Sequence, residues 1–382
     1  MKLSKPNVLI LVDWFTPGFR AGGPIRSVSN LVESMQSNFN FFIITSNKDL
    51  GAVSPYDVEP NRWLTVEQFK VYYSDEAPRV AFIKATIQDK NINAVYFNSL
   101  FSKDYTIVPL KGLKRLENCP RLILAPRGML SSKALGIKRI KKSIFLLLAK
   151  WTGLYDGITW HATSTDESID IKNKFKKSAV VEAPNLGVLP KKVINVGAKI
   201  SKVIHIISIS RISRIKNIHL ILESLEKIPQ DRRVNYTHVG PIEDVEYWQE
   251  CLLLKNRLSK NVSFRYAGEK SHVEISQILM ESHLLMLLSD SENFGHVVLE
   301  AFAHGVPCIV SNGTPWKNLS QRKIGFNLPI EDIHEISAKM TYLCDMAAVD
   351  FEQWSVAARK FAEEQIGNEM NLKNYLRLFS GD

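Results

Sequence analysis

The stretch that decides the fold is 291-SENFGHVVLEAFAHGVPCIVS-311, which places Glu292 and Glu300 eight positions apart. It follows the apolar run 284-LLMLL-288. That run predicts a buried strand, and the residues from about His296 to His304 predict a helix. A strand, a short polar loop and a helix in this order are typical of α/β proteins with parallel sheets. The first glutamate therefore precedes the helix and the second lies inside it.

The rest of the chain repeats this alternation of short apolar strands and longer amphipathic helices. In the first half we predict strands at 7–13, 40–45, 94–98, 121–126 and 158–164, a helix at 24–35, and another helix that begins at the S-x-x-E capping box Ser164 to Glu167. In the second half we predict strands at 203–210, 234–240, 262–268, 283–289 and 307–311, and a helix at 217–228.

These elements divide the chain into domains. We predict an N-terminal domain at 1–190, a second domain at 200–355 and a C-terminal helix at 356–382, with a linker near 186–200 where turn residues replace the periodic pattern. Two such domains are expected to leave a cleft at the carboxyl ends of their strands, where open α/β sheets bind ligands.

Composition narrows the class of protein. Of the 382 residues, 45% are hydrophobic and 23% are charged, which is typical of a soluble globular protein. Apolar runs fall short of the roughly 18–20 residues of a membrane helix. The run 8-VLILV-12 leads directly into Asp13, so we interpret it as a first strand and not a signal sequence. The four cysteines are scattered, which indicates reduced thiols and a cytoplasmic location.

Positive charge is concentrated in the first half of the chain. Residues 1–199 contain 29 Lys and Arg against 16 Asp and Glu, and residues 200–382 contain 20 against 23, so the halves carry +13 and −3. The partner of the first half could be nucleic acid, an anionic bilayer surface or a phosphate-bearing substrate. The run 133-KALGIKRIKKSIFLLLAKW-151 fits either a helix on a membrane surface or an ordinary domain helix with a solvated basic end.

The loop 210-SRISRIKNIH-219 is a candidate anion site. Arg211, Arg214 and Lys216 lie between a predicted strand and a helix that begins near Asn217. Unpaired amides at a helix start, together with such cations, favour anion binding, although a solvated basic turn has the same composition. The amides from Gly295 to Val298 would begin a second helix directed at the same cleft.

The two glutamates suggest the remainder of the ligand. Glu292 and Glu300 are roughly 10 Å apart by helical rise, too far to share one metal ion. Each carboxylate can instead accept hydrogen bonds from neighbouring hydroxyls. Cations for a diphosphate and separate carboxylates for two sugar rings describe a nucleotide-sugar site.

Several motifs of this sequence resemble those of a known family. The segment 292-ENFGHVVLE-300, followed by 301-AFAHGVPCIVS-311, resembles the donor-site signature of retaining glycosyltransferases of family 4, and 312-NGTPW-316 is similar to a subgroup that builds bacterial surface polysaccharides. The similarity extends over nearly the whole chain, through a glycine-rich first loop, an acceptor-side loop, an interdomain turn and an R-x4-K phosphate clamp, at 20-RAGGPIRSV-28, 126-PRGML-130, 184-PNLGV-188 and 211-RISRIKN-217.

The resemblance implies a GT-B fold, in which two Rossmann-like domains face each other across a cleft and the C-terminal helix crosses back to the first domain. It implies that Arg211 and Lys216 neutralise the donor diphosphate, that Glu300 binds the ribose and that Glu292 contacts the transferred sugar at the catalytic centre. The other implied donor-binding residues are Phe294, Gly295 and His296 as backbone donors to sugar hydroxyls, Val297 as a donor to phosphate, and Gly22 and Gly23, which let the first loop approach the diphosphate.

One position departs from this pattern. Many relatives have histidine where this chain has Arg127, which stays charged and cannot act as a general base. Arg127 remains a candidate catalytic-site residue that could bind a phosphate or a sugar hydroxyl. The implied retaining mechanism, in which the leaving phosphate takes the proton of the acceptor, does not need the histidine. We predict structural roles for His161 and His304, and a loop or capping role for Asp13.

The expected function is transfer of a hexose-type sugar from a nucleotide-diphosphate sugar to a lipid-linked or oligosaccharide acceptor in surface-polysaccharide biosynthesis (O-antigen, capsule or exopolysaccharide). We expect no metal ion or other cofactor, because the resemblance implies none and 290-DSE-292 imitates D-x-D poorly. The basic first domain would hold the enzyme at the inner face of the bacterial inner membrane. The alternatives are a GT-B nucleotide-sugar epimerase and a nucleic-acid-binding protein, although the chain lacks aromatic platforms for nucleic acid. A dehydrogenase is disfavoured because 22-GGPIRS-27 is not G-x-G-x-x-G.

Overall fold

A computed structural model describes residues 5–136, 139–190 and 199–381. The chain divides into two compact units. Unit 1 comprises Met1–Leu186 and Asn368–Asp382, and unit 2 comprises Gly187–Gly367. Most of the linker that we predicted at 186–200 lies outside the described residues.

Unit 1 contains a sheet of eight strands. In chain order they are β1 (Asn7–Leu11), β2 (Asn40–Ser46), β3 (Trp63–Val66), β4 (Phe69–Ser74), β5 (Ile92–Phe97), β6 (Arg121–Leu124), β7 (Thr159–Ala162) and β8 (Ala179–Glu182). The spatial order is β3-β4-β2-β1-β5-β6-β7-β8, and every pairing is parallel except the hairpin of β3 and β4. The helices are α1 (Gly23–Met35), α2 (Val80–Asp89), α3 (Val108–Leu113, after a π-helical turn at Lys103–Ile107), α4 (Ser132–Gly136), α5 (Arg139–Trp151), α6 (Thr165–Lys174) and the last helix of the chain.

Both faces of this sheet are covered by apolar clusters, as expected when parallel strands are connected by helices. Alternate residues of β1 supply them, because successive side chains of a strand point to opposite faces. Leu9 and Leu11 belong to the cluster that includes Leu146 of α5, and Val8 and Ile10 belong to the cluster that includes α1.

Unit 2 contains a sheet of six parallel strands. In chain order they are β9 (Val203–Ile209), β10 (Arg233–Val239), β11 (Val262–Tyr266), β12 (Leu284–Leu287), β13 (Cys308–Ser311) and β14 (Gly325–Leu328). The spatial order is β11-β10-β9-β12-β13-β14, so β9 lies beside β12. The helices are α7 (Ile218–Leu225, after a 3-10 turn at Arg214–Lys216), α8 (Val245–Lys255), α9 (His272–Met280), α10 (His296–Ala303), α11 (Ile333–Asp345) and α12 (Ala348–Ile366).

The C-terminal segment that we predicted as one helix at 356–382 consists of two. Helix α12 packs on α10 within unit 2, with the rings of Phe302 and Phe361 5.5 Å apart. Helix α12 ends at Ile366, Gly367 follows it, and the Asn368 side chain then caps α13 (Glu369–Ser380). Phe379 of α13 then packs on the core of unit 1, which confirms that the final helix returns to the first domain.

The predicted capping box forms only in part. The Ser164 hydroxyl accepts a hydrogen bond from the Glu167 amide, as predicted. The Glu167 carboxylate accepts hydrogen bonds from the amides of Thr163 and Gly128. Glu167 therefore joins the start of α6 to the loop that carries Arg127.

Across the described ranges 5–136, 139–190 and 199–381, no helix combines the length and the apolar character needed to cross a bilayer.

Candidate active site

The candidate site of unit 2 lies where β9 and β12 end. These strands are parallel neighbours, so the loops at their carboxyl ends meet at the same edge of the sheet. The loop after β9 carries Arg211 and Lys216, and the loop after β12 carries Glu292. The topology therefore brings together two motifs that are far apart in the sequence.

Asn217 joins the two loops. It has a left-handed backbone (φ 51°, ψ 43°), a conformation that asparagine tolerates better than most residues. Its buried side-chain amide donates hydrogen bonds to the Leu288 carbonyl at 2.9 Å and to the Asp290 carboxylate at 2.7 Å. The Asp290 amide donates in return to the Ile215 carbonyl at 2.9 Å. The sequence predicted Asn217 at a helix start but did not reveal this role.

Lys216 and Glu292, two of the predicted site residues, contact each other directly. Lys216 Nζ lies 2.5 Å from Glu292 Oε1, and the side chains are only 13% and 16% exposed. The buried Ser289 hydroxyl donates to the same carboxylate oxygen at 2.7 Å. Each charge is largely withdrawn from water, so each is stabilised mainly by the other.

Arg211 lies in a more open environment. Its guanidinium pairs with Glu243, in the loop after β10, and the two side chains are 40% and 47% exposed. An ion pair this exposed adds little to stability, so an anionic ligand can compete for the guanidinium. Glu243 was not predicted from the sequence, because nothing distinguishes it locally from other surface acids.

A buried histidine, His238, holds the backbone of the residue that precedes Arg211. His238 Nε2 lies 3.1 Å from the Ser210 carbonyl oxygen, and Nδ1 lies 2.6 Å from the Ser208 hydroxyl. A carbonyl can only accept, so Nε2 carries the proton and Nδ1 accepts from Ser208. Burial lowers the pKa of His238 to about 4, which keeps the ring neutral.

Gly240 explains why the loop after β9 approaches β10 so closely. A Cβ added there would lie 2.0 Å from the Ser210 carbonyl oxygen, and the backbone has φ +142°. Only glycine fits this position without displacing the loop that begins at Arg211.

The start of α10 contains two of the predicted donor-binding residues. Gly295 precedes the helix in the left-handed conformation (φ 75°, ψ 60°), and no side chain in the described part of the chain caps this end through a hydrogen bond. The first amides of a helix lack acceptors within the helix and carry partial positive charge. The amides of His296 and Val297, both predicted donors, belong to this first turn.

Trp316 fixes the loop in front of this helix. Its indole Nε1 donates to the Phe294 carbonyl at 2.6 Å, and the two rings meet edge to face at 5.2 Å. A Cβ on Gly295 would lie 3.2 Å from the same nitrogen. The segment 312-NGTPW-316 entered the sequence interpretation only through a family resemblance, so this positioning role is a structural finding.

Glu300 lies one turn inside α10 and is partly exposed. The backbone carbonyl of Glu300 accepts a hydrogen bond from His304 Nδ1 at 2.7 Å. The other ring nitrogen of His304 accepts from the Ser276 hydroxyl at 2.7 Å. His304 therefore joins the end of α10 to α9 and has no ring nitrogen left for chemistry.

In unit 1 the glycine-rich loop leads into α1. Gly22 has φ +61° and ψ −114°, a conformation that side-chain-bearing residues rarely adopt. The Asp49 carboxylate accepts hydrogen bonds from the amides of Phe19 at 2.7 Å and Arg20 at 3.0 Å, which fixes the loop. A Cβ added at Gly22 or Gly23 meets nothing within 4 Å, so packing does not require glycine at Gly23.

Arg127 is held in a partly buried hydrogen-bond network. Its backbone is left-handed (φ 54°), and its guanidinium donates to Asn98 Oδ1 at 2.7 Å, to the Tyr96 hydroxyl at 2.7 Å and to Asn185 Oδ1. All three acceptors are neutral. A guanidinium has five N–H groups, so this arrangement fixes a positive charge and leaves up to two donors available.

The same network includes His161. His161 Nε2 lies 2.7 Å from the Ala183 carbonyl oxygen, so it carries the proton, and Nδ1 accepts from the Tyr96 hydroxyl at 2.8 Å. Burial and the nearby Arg127 charge lower the pKa of His161 to about 3. Both ring nitrogens are occupied, which gives His161 a structural role and excludes it as a base.

Asp13 follows β1 and accepts a hydrogen bond from the Ser102 hydroxyl at 2.7 Å. Burial raises the pKa of its carboxyl above the usual value. Among the described residues, no group of three or more His, Cys, Asp or Glu side chains is arranged to hold a metal ion.

Two parallel α/β units, with a final helix that returns to the first, define a GT-B fold. Solved structures over nearly the full length agree. Sucrose-phosphate synthase from Thermosynechococcus elongatus has a TM-score of 0.70 at 15% identity, covering 99% of this chain and 100% of that one. HepE from Anabaena, in complex with UDP-glucose, has a TM-score of 0.66 at 15% identity, covering 98% and 99%. WaaG, a glycosyltransferase involved in lipopolysaccharide biosynthesis, has a TM-score of 0.65 at 12% identity, covering 98% and 100%.

At the level of sequence, residues 191–361 match the family model of glycosyl transferases group 1. The matched segment contains the loops after β9 and β12 and most of unit 2. No curated protein matches the chain. The family match and the fold together support a glycosyltransferase.

Proposed function

We propose that the protein is a retaining glycosyltransferase of family 4 that moves a hexose-type sugar from a nucleotide-diphosphate sugar to a lipid-linked or oligosaccharide acceptor. The observation that carries this proposal is the contact between Lys216 and Glu292 at the joined ends of β9 and β12, beside the start of α10. A cation and a carboxylate with adjoining helix amides suit a diphosphate and a sugar together.

Donor binding would reorganise this pair. A diphosphate attracts Lys216 and Arg211 and weakens their bonds to Glu292 and Glu243. Glu292 then accepts hydrogen bonds from the hydroxyls of the transferred sugar, while the first amides of α10 bind sugar or phosphate oxygens. Glu300, one turn further along, would bind the ribose, and Gly23 would leave room for the diphosphate.

The chemical step would retain the configuration at the anomeric carbon. The bond from that carbon to the β-phosphate oxygen breaks, and a bond to the acceptor oxygen forms on the same face. The acceptor proton passes to the leaving phosphate, which departs as nucleoside diphosphate. Lys216 and Arg211 stabilise the charge that develops on this leaving group. These steps need no side chain as a base, which agrees with a neutral His161 whose two ring nitrogens are both hydrogen-bonded. Arg127 would supply a fixed positive charge.

The acceptor and the cellular site belong to the same proposal. We place the reaction in bacterial surface-polysaccharide synthesis, without a metal cofactor, at the cytoplasmic face of the inner membrane. The +13 charge of residues 1–199 supports an anionic partner for unit 1.

A panel of UDP- and GDP-sugars tests the proposal, with nucleotide release measured with and without a lipid-linked saccharide acceptor. We expect acceptor-dependent release of one nucleoside diphosphate, lost in Lys216→Ala and in Glu300→Ala while both variants keep the fold. Wild-type release in both variants would refute the site. Interconversion of nucleotide sugars without acceptor would instead identify an epimerase.

A further inference from the structure

Helix α5 exposes an apolar stripe. Five large side chains point to solvent: Ile140 is 75% exposed, Ile144 54%, Leu147 68%, Leu148 52% and Trp151 84%. Their spacing of four, three, one and three residues places all five on one face of the helix. A contiguous apolar surface of this kind marks an interaction site on a soluble domain.

The opposite face of α5 is already packed. Leu146 and Ala149 are buried in the core of unit 1, and the Phe145 ring lies 5.5 Å from Phe101. The helix therefore cannot rotate its apolar stripe inward without withdrawing these residues. This excludes the ordinary arrangement in which the apolar face of a surface helix covers the core and the charged face meets solvent.

Basic residues border the stripe on both sides. On a helical projection Lys141 lies along one edge, and Arg139 and Lys150 lie along the other. All three are exposed. The sequence from 118 to 155 contains eight Lys and Arg and no Asp or Glu. The ligand of this face is therefore apolar at its centre and negatively charged around it.

We propose that α5 docks unit 1 on an anionic lipid bilayer. The helix lies along the surface, the stripe enters the boundary between headgroups and acyl chains, and Arg139, Lys141 and Lys150 meet lipid phosphates. Trp151 suits this boundary because its ring is apolar with one polar edge. With 13 residues the helix is too short to span a bilayer. A second copy of this chain is disfavoured, since a symmetric contact would bring the same basic residues against each other.

The docking surface contains none of the proposed donor-site residues, so it is tested separately from the transferase proposal. The experiment is sedimentation of the full chain with phosphatidylethanolamine–phosphatidylglycerol vesicles and with phosphatidylcholine vesicles, without nucleotide sugar. Leu147→Glu is the test variant. Leu253→Glu is the matched control, because Leu253 on α8 of unit 2 is 69% exposed and receives the same substitution.

We expect the wild type and Leu253→Glu to bind the phosphatidylglycerol vesicles equally, and Leu147→Glu to bind at least about tenfold more weakly. Lys141→Glu and Lys150→Glu should each weaken binding roughly fivefold or more, and added salt should weaken it further. Circular dichroism and nucleotide release with a soluble acceptor should be unchanged in Leu147→Glu.

Equal binding of Leu147→Glu and wild type would overturn the proposal, and so would equal binding to phosphatidylcholine vesicles. A protein that ignores vesicles but dimerises in sedimentation equilibrium, with the dimer lost in Leu147→Glu, would overturn it in favour of a second copy. If Leu147→Glu loses vesicle binding while donor-site variants keep wild-type nucleotide release, the docking surface stands and the transferase site falls.

Discussion

The contact between Lys216 and Glu292 makes a prediction about stability that is separate from catalysis. In Lys216→Met the Glu292 carboxylate stays in its partly buried position and keeps the hydrogen bond from the Ser289 hydroxyl, but it loses the positive charge that paired with it. Removing one partner of a fully buried pair costs about 3–5 kcal/mol. Because these side chains are 13% and 16% exposed, we expect about 2–3 kcal/mol here.

Glu292→Gln is the informative second change. The amide still accepts from Ser289 and from Lys216, so by itself the substitution should lower stability by about 1 kcal/mol. In the Lys216→Met background it removes the unpaired charge, so it should raise stability by about 1–2 kcal/mol. Glu292→Gln is therefore expected to lower the stability of the wild type and to raise the stability of the Lys216→Met variant.

Differential scanning calorimetry of the full chain measures these differences through the transition of unit 2. For a unit of this size Lys216→Met should lower the Tm by roughly 5–10 °C, and the double variant should recover part of the loss. Nucleotide release should be lost in all three variants, because the charges act on the donor as well as on each other. An equal effect of Glu292→Gln in both backgrounds would refute the coupling, and full release in the double variant would refute the catalytic role.

Three further outcomes follow from other parts of the structure. His161 and His238 have pKa values lowered to about 3 and about 4 in the folded state, so they take up protons only on unfolding near pH 4–6. The stability that depends on these neutral rings is complete above about pH 6.5 and is lost on acidification, at about 1.4 kcal/mol per pH unit for each ring. We therefore expect urea titrations of His161→Gln to show a free energy of unfolding that falls with pH less steeply than that of the wild type, by about 1.4 kcal/mol per pH unit. Gly240→Ala should destabilise unit 2 by roughly 3 kcal/mol, because its Cβ would meet the Ser210 carbonyl, and a measured loss of unfolding free energy below about 1 kcal/mol would contradict that geometry. Trp316→Phe removes the indole hydrogen bond but keeps an aromatic ring, so we expect a loss of about 1 kcal/mol and an increased KM for the donor; unchanged donor kinetics would exclude the positioning role.

The sequence predicted the long, buried strands more successfully than the short edge strands. Apolar runs such as 7–13, 203–210 and 234–240 contain strands because both faces of a parallel strand are buried. Four strands were not predicted, namely β3, β4, β8 and β14, which include edge strands with short or interrupted apolar patterns. These strands form where a neighbour supplies hydrogen bonds, and local sequence does not record that neighbour.

The candidate site, too, was only partly predictable from the sequence. The sequence identified Lys216, Glu292 and the start of α10, because a strand, a loop and a helix leave a local pattern. It did not reveal that Lys216 pairs with Glu292, that Asn217 joins their loops or that Trp316 holds the Phe294 carbonyl. Each of these contacts links segments brought together only by the order of the strands.

The sequence alone determined the α/β class, the succession of elements and the residues whose chemistry suits a diphosphate and a sugar, because these depend on periodicity and residue type within short windows. Tertiary structure decided which of those residues meet. It placed β9 beside β12, occupied both nitrogens of His161 and fixed Arg127 among neutral acceptors. It also turned the apolar stripe of α5 towards solvent, since the core of unit 1 accepts the face of Leu146 and Ala149. Periodicity states that a helix has an apolar face, but only packing decides where that face points.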